Sequence, residues 1–196
     1  MAAGSPTRKG QRLSRERIVE AAGRAIEAEG YEAISLRSLA KRLEVTAPAI
    51  YDHVESKDDL LRAVAASGYV AMDAAFDVGG KRAIDRCRER ALAYVRFSQD
   101  RPELFRVMFL YRPAAVPVEA DNELSAASSM FDRGLADIVA AVEEGHLIDR
   151  DPIQINLTLW AAIHGVATVG LLAPGLADLV VDDVVDALFK GLAPAS

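Results

Sequence analysis

The chain has 196 residues, 51% of them hydrophobic, and a formal net charge of −6. That length and apolar content suit a small domain followed by a medium one with a substantial core. The overall acidity argues against a general nucleic-acid binder, and the single cysteine, Cys87, excludes an intrachain disulfide and favours a reducing, cytoplasmic compartment.

The charge is unevenly spread. Residues 1–43 hold nine basic side chains against five acidic ones, and the acidic excess lies downstream. A basic N-terminal part on an acidic body suits a protein that binds DNA at particular sites without adhering everywhere. Residues 1–11 are small, polar and basic, interrupted by Gly4, Pro6 and Gly10, and are expected to form a disordered basic arm. Such an arm either reaches along the DNA or is a tail with no role. The first residues are not followed by an apolar run, so no signal peptide is expected.

Residues 12–58 read as a helix-turn-helix domain. Ser14 starts the first helix, Ile18, Ala22, Ala25 and Ile26 form its inner stripe, and Gly30 closes it. Ser35 is an N-cap, after which Leu36, Leu39, Ala40 and Leu43 share one face. Thr46 is a second N-cap, with Pro48 in the first turn, where a missing N–H costs nothing. Ile50 and Val54 point inward. Ser56 opens a third helix, and Asp59 is a near match to a capping box. Two short helices joined by a tight turn are the helix-turn-helix signature, and the second one enters a major groove. Thr46, Ala47, Ala49 and Tyr51 are left facing outward, small or hydroxyl-bearing as close approach to bases and phosphates requires. Arg37, Lys41, Arg42, His53 and Lys57 surround them with positive or protonatable groups.

The run Tyr51-x-His53-hydrophobic-x-Ser56-Lys57, set within Gly30-Tyr31 … Leu60-Leu61, resembles the DNA-binding domain of TetR-type transcriptional regulators, the TetR/AcrR family. The resemblance implies an all-α protein of about nine helices. It implies an N-terminal DNA-binding domain and a larger C-terminal domain, residues 59–196, that binds a small molecule and forms a homodimer. Carried over by position, Arg37, Ala47, Pro48 and Ala49 approach bases, while Ser35, Thr46, Tyr51, His53 and Lys57 mostly touch phosphates. Two residues depart from the pattern. Glu44 stands where the family usually has Gly, and a Glu adopts the left-handed conformation only at a cost. Asp52 puts an anion among the DNA-facing positions, where it either accepts from a cytosine amino group or points to solvent or a basic neighbour.

Downstream, the helix opened by Ser56 is expected to run to Gly79-Gly80. Residues 81–100 form the next helix, with Ile84, Leu92, Val95 and Phe97 inward. Arg82, Arg86, Arg88 and Arg90 resemble a nucleic-acid patch, but Asp85 and Glu89 favour a solvated, salt-bridged face. Pro102 opens a short apolar helix, and residues 112–121 form a loop. Residues 122–145 form a helix burying Leu124, Met130, Phe131, Leu135, Ile138, Val139 and Val142. Asp151-Pro152 begins a helix whose Trp160 … His164-Gly165 pattern resembles the C-terminal domain of one branch of TetR-type regulators. The uncharged stretch 157–173 is slightly short for a membrane span, contains His164 and ends at Pro174-Gly175, so no membrane partner is expected. A helix apolar on every side needs burial on every side. Ala161, Gly165, Thr168 and Leu172, with Val181, Val185 and Leu188 of the last helix, are therefore expected to form a two-fold interface with a second copy.

His164 lies four residues from Trp160 on the same face. It either orients a ligand in an apolar pocket or is a buried histidine bonded to a backbone carbonyl. Phe105, Met108, Phe109 and Met130 either line the same pocket or are plain core. The ligand is expected to be largely apolar or aromatic. The three histidines lie on separate elements without metal-ligand spacing, and neither a phosphate loop nor a nucleophile elbow is present. No catalytic residue, metal or cofactor is expected. The function expected is a ligand-responsive regulator, a repressor released from a near-palindromic operator by a small molecule. The alternative is a helical ligand-binding or interaction protein with a degenerate helix-turn-helix, kept open by Glu44 and Asp52. A small helical enzyme centred on His164 is a third reading.

Overall fold

A computed structural model describes residues 12–110 and 123–194. The expected arm at 1–11 and the loop at 112–121 lie outside the described residues, as does the side chain of Leu124. The chain forms two compact units, Met1–Val64 and Ala65–Ser196. Among the described residues there are nine helices and no strand, as the all-α expectation requires.

In the first unit, α1 (Arg15–Glu29), α2 (Leu36–Arg42), α3 (Ala47–Tyr51) and the start of α4 (Lys57–Ala75) close around a small core. Ile18, Ile26, Leu39, Ile50, Leu60 and Leu61 are fully buried there. The helix starts are chemically marked. Ser14 Oγ accepts from the Arg17 N–H at 3.3 Å. Ser35 and Ser38 form a reciprocal capping box, each hydroxyl accepting from the other's backbone N–H at 3.0 and 3.1 Å. Ser56 Oγ accepts from the Asp59 N–H at 3.0 Å. The returning bond to Asp59 comes from the N–H of Glu55, one residue earlier than a strict box.

Helix α4 stops at Ala75, short of the expected Gly79-Gly80. The Phe76 N–H is shared between the carbonyls of Met72 and Asp73, and the Val78 N–H turns back to the Phe76 carbonyl, so the backbone leaves the helix there. The Phe76 ring is drawn inward against Tyr94, 6.1 Å between centroids.

In the second unit, α5 (Ala83–Asp100) is central. It packs on α6 (Pro102–Phe109), α7 (Glu123–Glu143), α8 (Pro152–Gly170) and α9 (Val181–Gly191). Its buried stripe is Cys87, Tyr94, Val95, Phe97 and Ser98, whereas Ile84 and Leu92 are only half-buried. The four arginines of this stretch are ion-paired, but not all are solvated. Arg82 pairs with Asp85 at 2.6 Å and Arg88 with Asp186, both at the surface. Arg86 and Arg90 instead turn inward to Asp137 of α7. This explains a reversal on α7: Asp137 is buried and Val139 is exposed, because the carboxylate has two guanidinium partners to meet.

Asp151 caps α8, accepting from the Ile153 N–H at 2.9 Å, and Pro152 occupies its first turn. Within the chain α8 is buried on one side only. Ile155, Leu159, Ile163, Val166 and Ala167 face inward, while Ile153, Leu157, Trp160 and Val169 are exposed. By length and composition α8 is apolar enough to cross a membrane, yet it packs here against α5, α7 and α9. Val185, expected at a dimer face, is 2% exposed inside its own unit. It shares the inner stripe of α9 with Phe189 and Leu192, four and seven residues on, which helical geometry puts on one side.

Candidate functional site

The first candidate surface centres on α3. Ile50 anchors this five-residue helix from below, and Val54 buries the turn after it. With those two side chains inward, helical geometry turns the others out. Ser35, Arg37, Thr46, Pro48 and Tyr51 are exposed, and Ala47, Ala49, His53 and Lys57 are half-buried. Tyr51 is 56% exposed, unusual for a tyrosine without a partner surface. Thr46 occupies the N-cap position of α3, but its side chain makes no capping bond. Lys57 Nζ donates to the Glu32 carbonyl at 3.1 Å, which holds its ammonium beside the start of α4. Arg42, by contrast, is tied to Glu29, with Nη2 to Oε2 at 2.6 Å. Asp52 is exposed at the C-cap of α3.

The turn between α2 and α3 has a definite geometry. The Val45 N–H bonds the Ala40 carbonyl at 3.0 Å, and the Glu44 N–H bonds the Lys41 carbonyl at 3.3 Å. This pair is a Schellman motif, which demands a left-handed residue at its second-last position. Glu44 supplies it with φ 56°, the one non-glycine with positive φ among the described residues. The turn is thus of the glycine type, built with glutamate.

A clamp sets the far side of α3. Arg15 of α1 donates through Nη1 to the His53 carbonyl at 2.8 Å and to Asp59 Oδ2 at 2.9 Å, and through Nη2 to Asp59 Oδ1 at 2.6 Å. The arginine hydrogen bonds hold the Asp59 carboxyl below its ordinary value. Sequence reading did not single out Arg15. Its signal was its place in the first turn of α1, but its partners are far along the chain.

The second candidate site is a cavity of about 510 Å³ in the second unit. Its wall is mainly rings and aliphatic groups, with Tyr69, Phe109, Phe131, Leu159, Trp160 and Ile163 prominent. Of the pocket residues expected from sequence, Phe109, Met130 and Trp160 line it. Phe105 and Met108 lie buried behind it, and Met108 fills the space beside Gly68, where a Cβ would stand 2.6 Å from its sulfur. His164 also stands just outside the wall. Its ring stacks on Trp160, 5.3 Å between centroids, and its Nδ1 lies 2.9 Å from the Tyr94 hydroxyl. Its partner is thus a phenol, not a backbone carbonyl. The Trp160 side chain also acts on the Tyr94 phenol, favouring its charged form against the burial that raises it. A phenol can both donate and accept, so which of the two groups carries the shared proton follows the His164 tautomer. Burial pushes the Tyr94 phenol up and the His164 imidazole down, which keeps both neutral at pH 7.

Tyr94 and Arg90 are in the wall, as is Asn156, whereas sequence reading put Arg90 on a solvated face and did not single out the other two. The signal for the first two was present: Cys87, Arg90, Ala91 and Tyr94 recur at three- and four-residue spacing on α5. Cys87 is buried, and desolvation raises its thiol to about 12, so it is an inert small side chain of the wall.

Residues 18–64 match the family model of bacterial regulatory proteins, tetR family. Residues 87–193 match that of the tetracyclin repressor-like C-terminal domain. An uncharacterized HTH-type transcriptional regulator of Mycobacterium tuberculosis, Rv0681, is 28% identical over 92% of this chain and 78% of its own length. The HTH-type transcriptional repressor KstR of Mycolicibacterium smegmatis is 27% identical over 81% of each chain. A solved structure of a protein of unknown function from Rhodococcus sp. RHA1 superposes with a TM-score of 0.79 at 28% identity, covering 96% of this chain and 100% of that one. The two family models cover the helix-turn-helix and the cavity-bearing helices in turn, and with them the chain belongs to the TetR family of transcriptional regulators.

Proposed function

We propose that this regulator is a repressor, that residues 35–57 read its operator, and that a small molecule in the α5–α8 cavity releases it. The observation that carries the reading is the surface around α3. Nine candidate contact residues there are exposed or half-buried while Ile50 and Val54 fix the helix from behind. Arg37, Ala47, Pro48 and Ala49 take the bases, and Ser35, Thr46, Tyr51, His53 and Lys57 take the phosphates. The repressor sense is supported by similarity to KstR, which is a repressor.

The strip of exposed Ala161, Gly165 and Leu172 with half-buried Thr168 fits a second copy of the chain in the cytoplasm. Its small side chains allow close helix approach, and Leu172, 79% exposed, is left for a partner to cover. A dimer presents two α3 helices to a near-palindromic site. The effector acts by binding the DNA-free conformation better, since it shifts the equilibrium only by its differential affinity.

The test is binding of the purified protein to DNA flanking its own gene at two salt concentrations. Tight, sequence-dependent, salt-sensitive binding with a protected near-palindrome is expected. Weak binding that is equal for all sequences, in this assay and in a genome-wide fragment selection, would refute the operator reading.

A further inference from the structure

Among the described residues lining the cavity, Arg90 alone is charged. Its side chain is 13% exposed. Two bonds fix its direction. Nε donates to Asp137 Oδ2 at 2.9 Å, and Nη1 donates to the Phe76 carbonyl. Asp137 is shared: its other oxygen accepts from Arg86 Nε at 2.7 Å. Two guanidinium groups thus divide one carboxylate. A guanidinium carries five N–H donors. The remaining donors of Arg90 meet no acceptor among the described residues.

A cation in an apolar wall, sharing its counter-ion, is complemented best by an acceptor that brings negative charge. The guanidinium fork matches a carboxylate in shape as well as sign. An amine would be repelled, and a neutral amide would accept without neutralising. Apart from Arg90, Asn156 and the tyrosines Tyr69 and Tyr94, the wall is mainly ring and aliphatic surface, with Phe109, Phe131 and Trp160 prominent.

Building on the cavity as effector site, we propose that the effector is an apolar acid whose carboxylate sits on Arg90 and whose hydrocarbon part packs against Phe109, Phe131 and Trp160. Arg90 is then the residue that sets effector class, and Asp137 is the positioning residue that aims it.

Trp160 is the chain's single tryptophan and lines the cavity, so its fluorescence reports occupancy directly. The full chain is titrated at pH 7.5 with three probes of one skeleton: biphenyl-4-carboxylate, biphenyl-4-carboxamide and biphenyl-4-ylmethylammonium. The carboxylate is expected to bind about ten-fold or more tightly than the other two, as for a hydrogen bond to a charged group. Arg90→Gln is expected to abolish that preference and leave amide binding unchanged. Arg90→Lys keeps the charge without the fork and is expected to retain part of it. If Arg90→Gln fails to fold by circular dichroism, the ranking in the native protein and in Arg90→Lys decides. Equal binding of the three probes, or preference for the amide or the amine, overturns the acid and leaves the cavity as effector site. No change in Trp160 emission and no heat from any probe overturns both.

Discussion

Arg15 and Asp59 are bonded fork to fork, 2.6 and 2.9 Å, across 44 positions of sequence, and the same guanidinium holds the carbonyl of His53. One side chain of α1 therefore fixes both the end of the α3 turn and the cap of α4. The pair is half-exposed, so its Coulomb part is screened, and the geometry carries its effect.

Arg15→Ala is expected to destabilise the first unit by about 1 kcal/mol, the scale of a well-formed but partly solvated charged pair. Urea unfolding followed by helix signal measures it. Asp59→Asn removes the charge and keeps the shape. The Asp59 carboxyl sits below its ordinary 3.8, so its stabilising effect is present above that pH and is lost as pH falls through the lower folded value. The stability gap between wild type and Asp59→Asn should hold from pH 7 to about pH 4 and narrow below it. A gap that closed already at pH 6 would show that another group is titrating.

Glu44→Gly is expected to stabilise. Holding a non-glycine residue at φ 56° costs about 1–2 kcal/mol, and relief of that cost is partly offset by the greater freedom of glycine in the unfolded chain. The net expectation is a gain of about 0.5–1 kcal/mol, read as a higher urea midpoint at unchanged slope. A loss would mean that the Glu44 side chain does something other than occupy the turn.

Much of the fold was legible because its punctuation is local. Ser14, Ser35, Ser56 and Asp151 mark helix starts through bonds to residues two or three positions on, and Pro102 marks one by standing in a first turn, where its missing N–H is not needed. The α3 surface was legible for the same reason: Ile50 and Val54 turn the remaining side chains outward. The Arg15 clamp, the Asp137 pair and the Tyr94–His164 bond were not, since each joins residues at least 38 apart. Asp137 misled most. A carboxylate on an amphipathic helix reads as solvent-facing until its two arginines are known, and Val139 was put inside in its place.

Tyr51→Ala and Lys57→Ala are each expected to weaken operator binding by about ten-fold and to lower the slope of log K against log salt by about one where a phosphate contact is lost. Fluorescence anisotropy across a salt series gives both numbers. An unchanged slope with lowered affinity would reassign the residue from phosphate to base or to folding. For Lys57 the last case is specific, because its ammonium also holds the Glu32 carbonyl.

Tyr94→Phe should cost about 1–2 kcal/mol of stability, as it strips the partner from the half-buried His164 Nδ1. The pH response has a definite sign. His164 is lowered from 6.5 by burial, so the unfolded chain takes up this proton first as pH falls. Stability should therefore be highest above about pH 6.5 and decline below it. His164→Gln should flatten that decline in a melting series from pH 7.5 to 5.5.

The Arg15 clamp grips a main-chain oxygen and a helix-cap carboxylate, and neither group is among the proposed contacts to bases. The residues proposed to read DNA can then change identity without loosening what holds them. A short segment, residues 45–54, could be exchanged between relatives while Arg15 and Asp59 stay in place. The physical separation of holder from reader makes this unit evolvable, because new operator preferences need not be won at the expense of the fold.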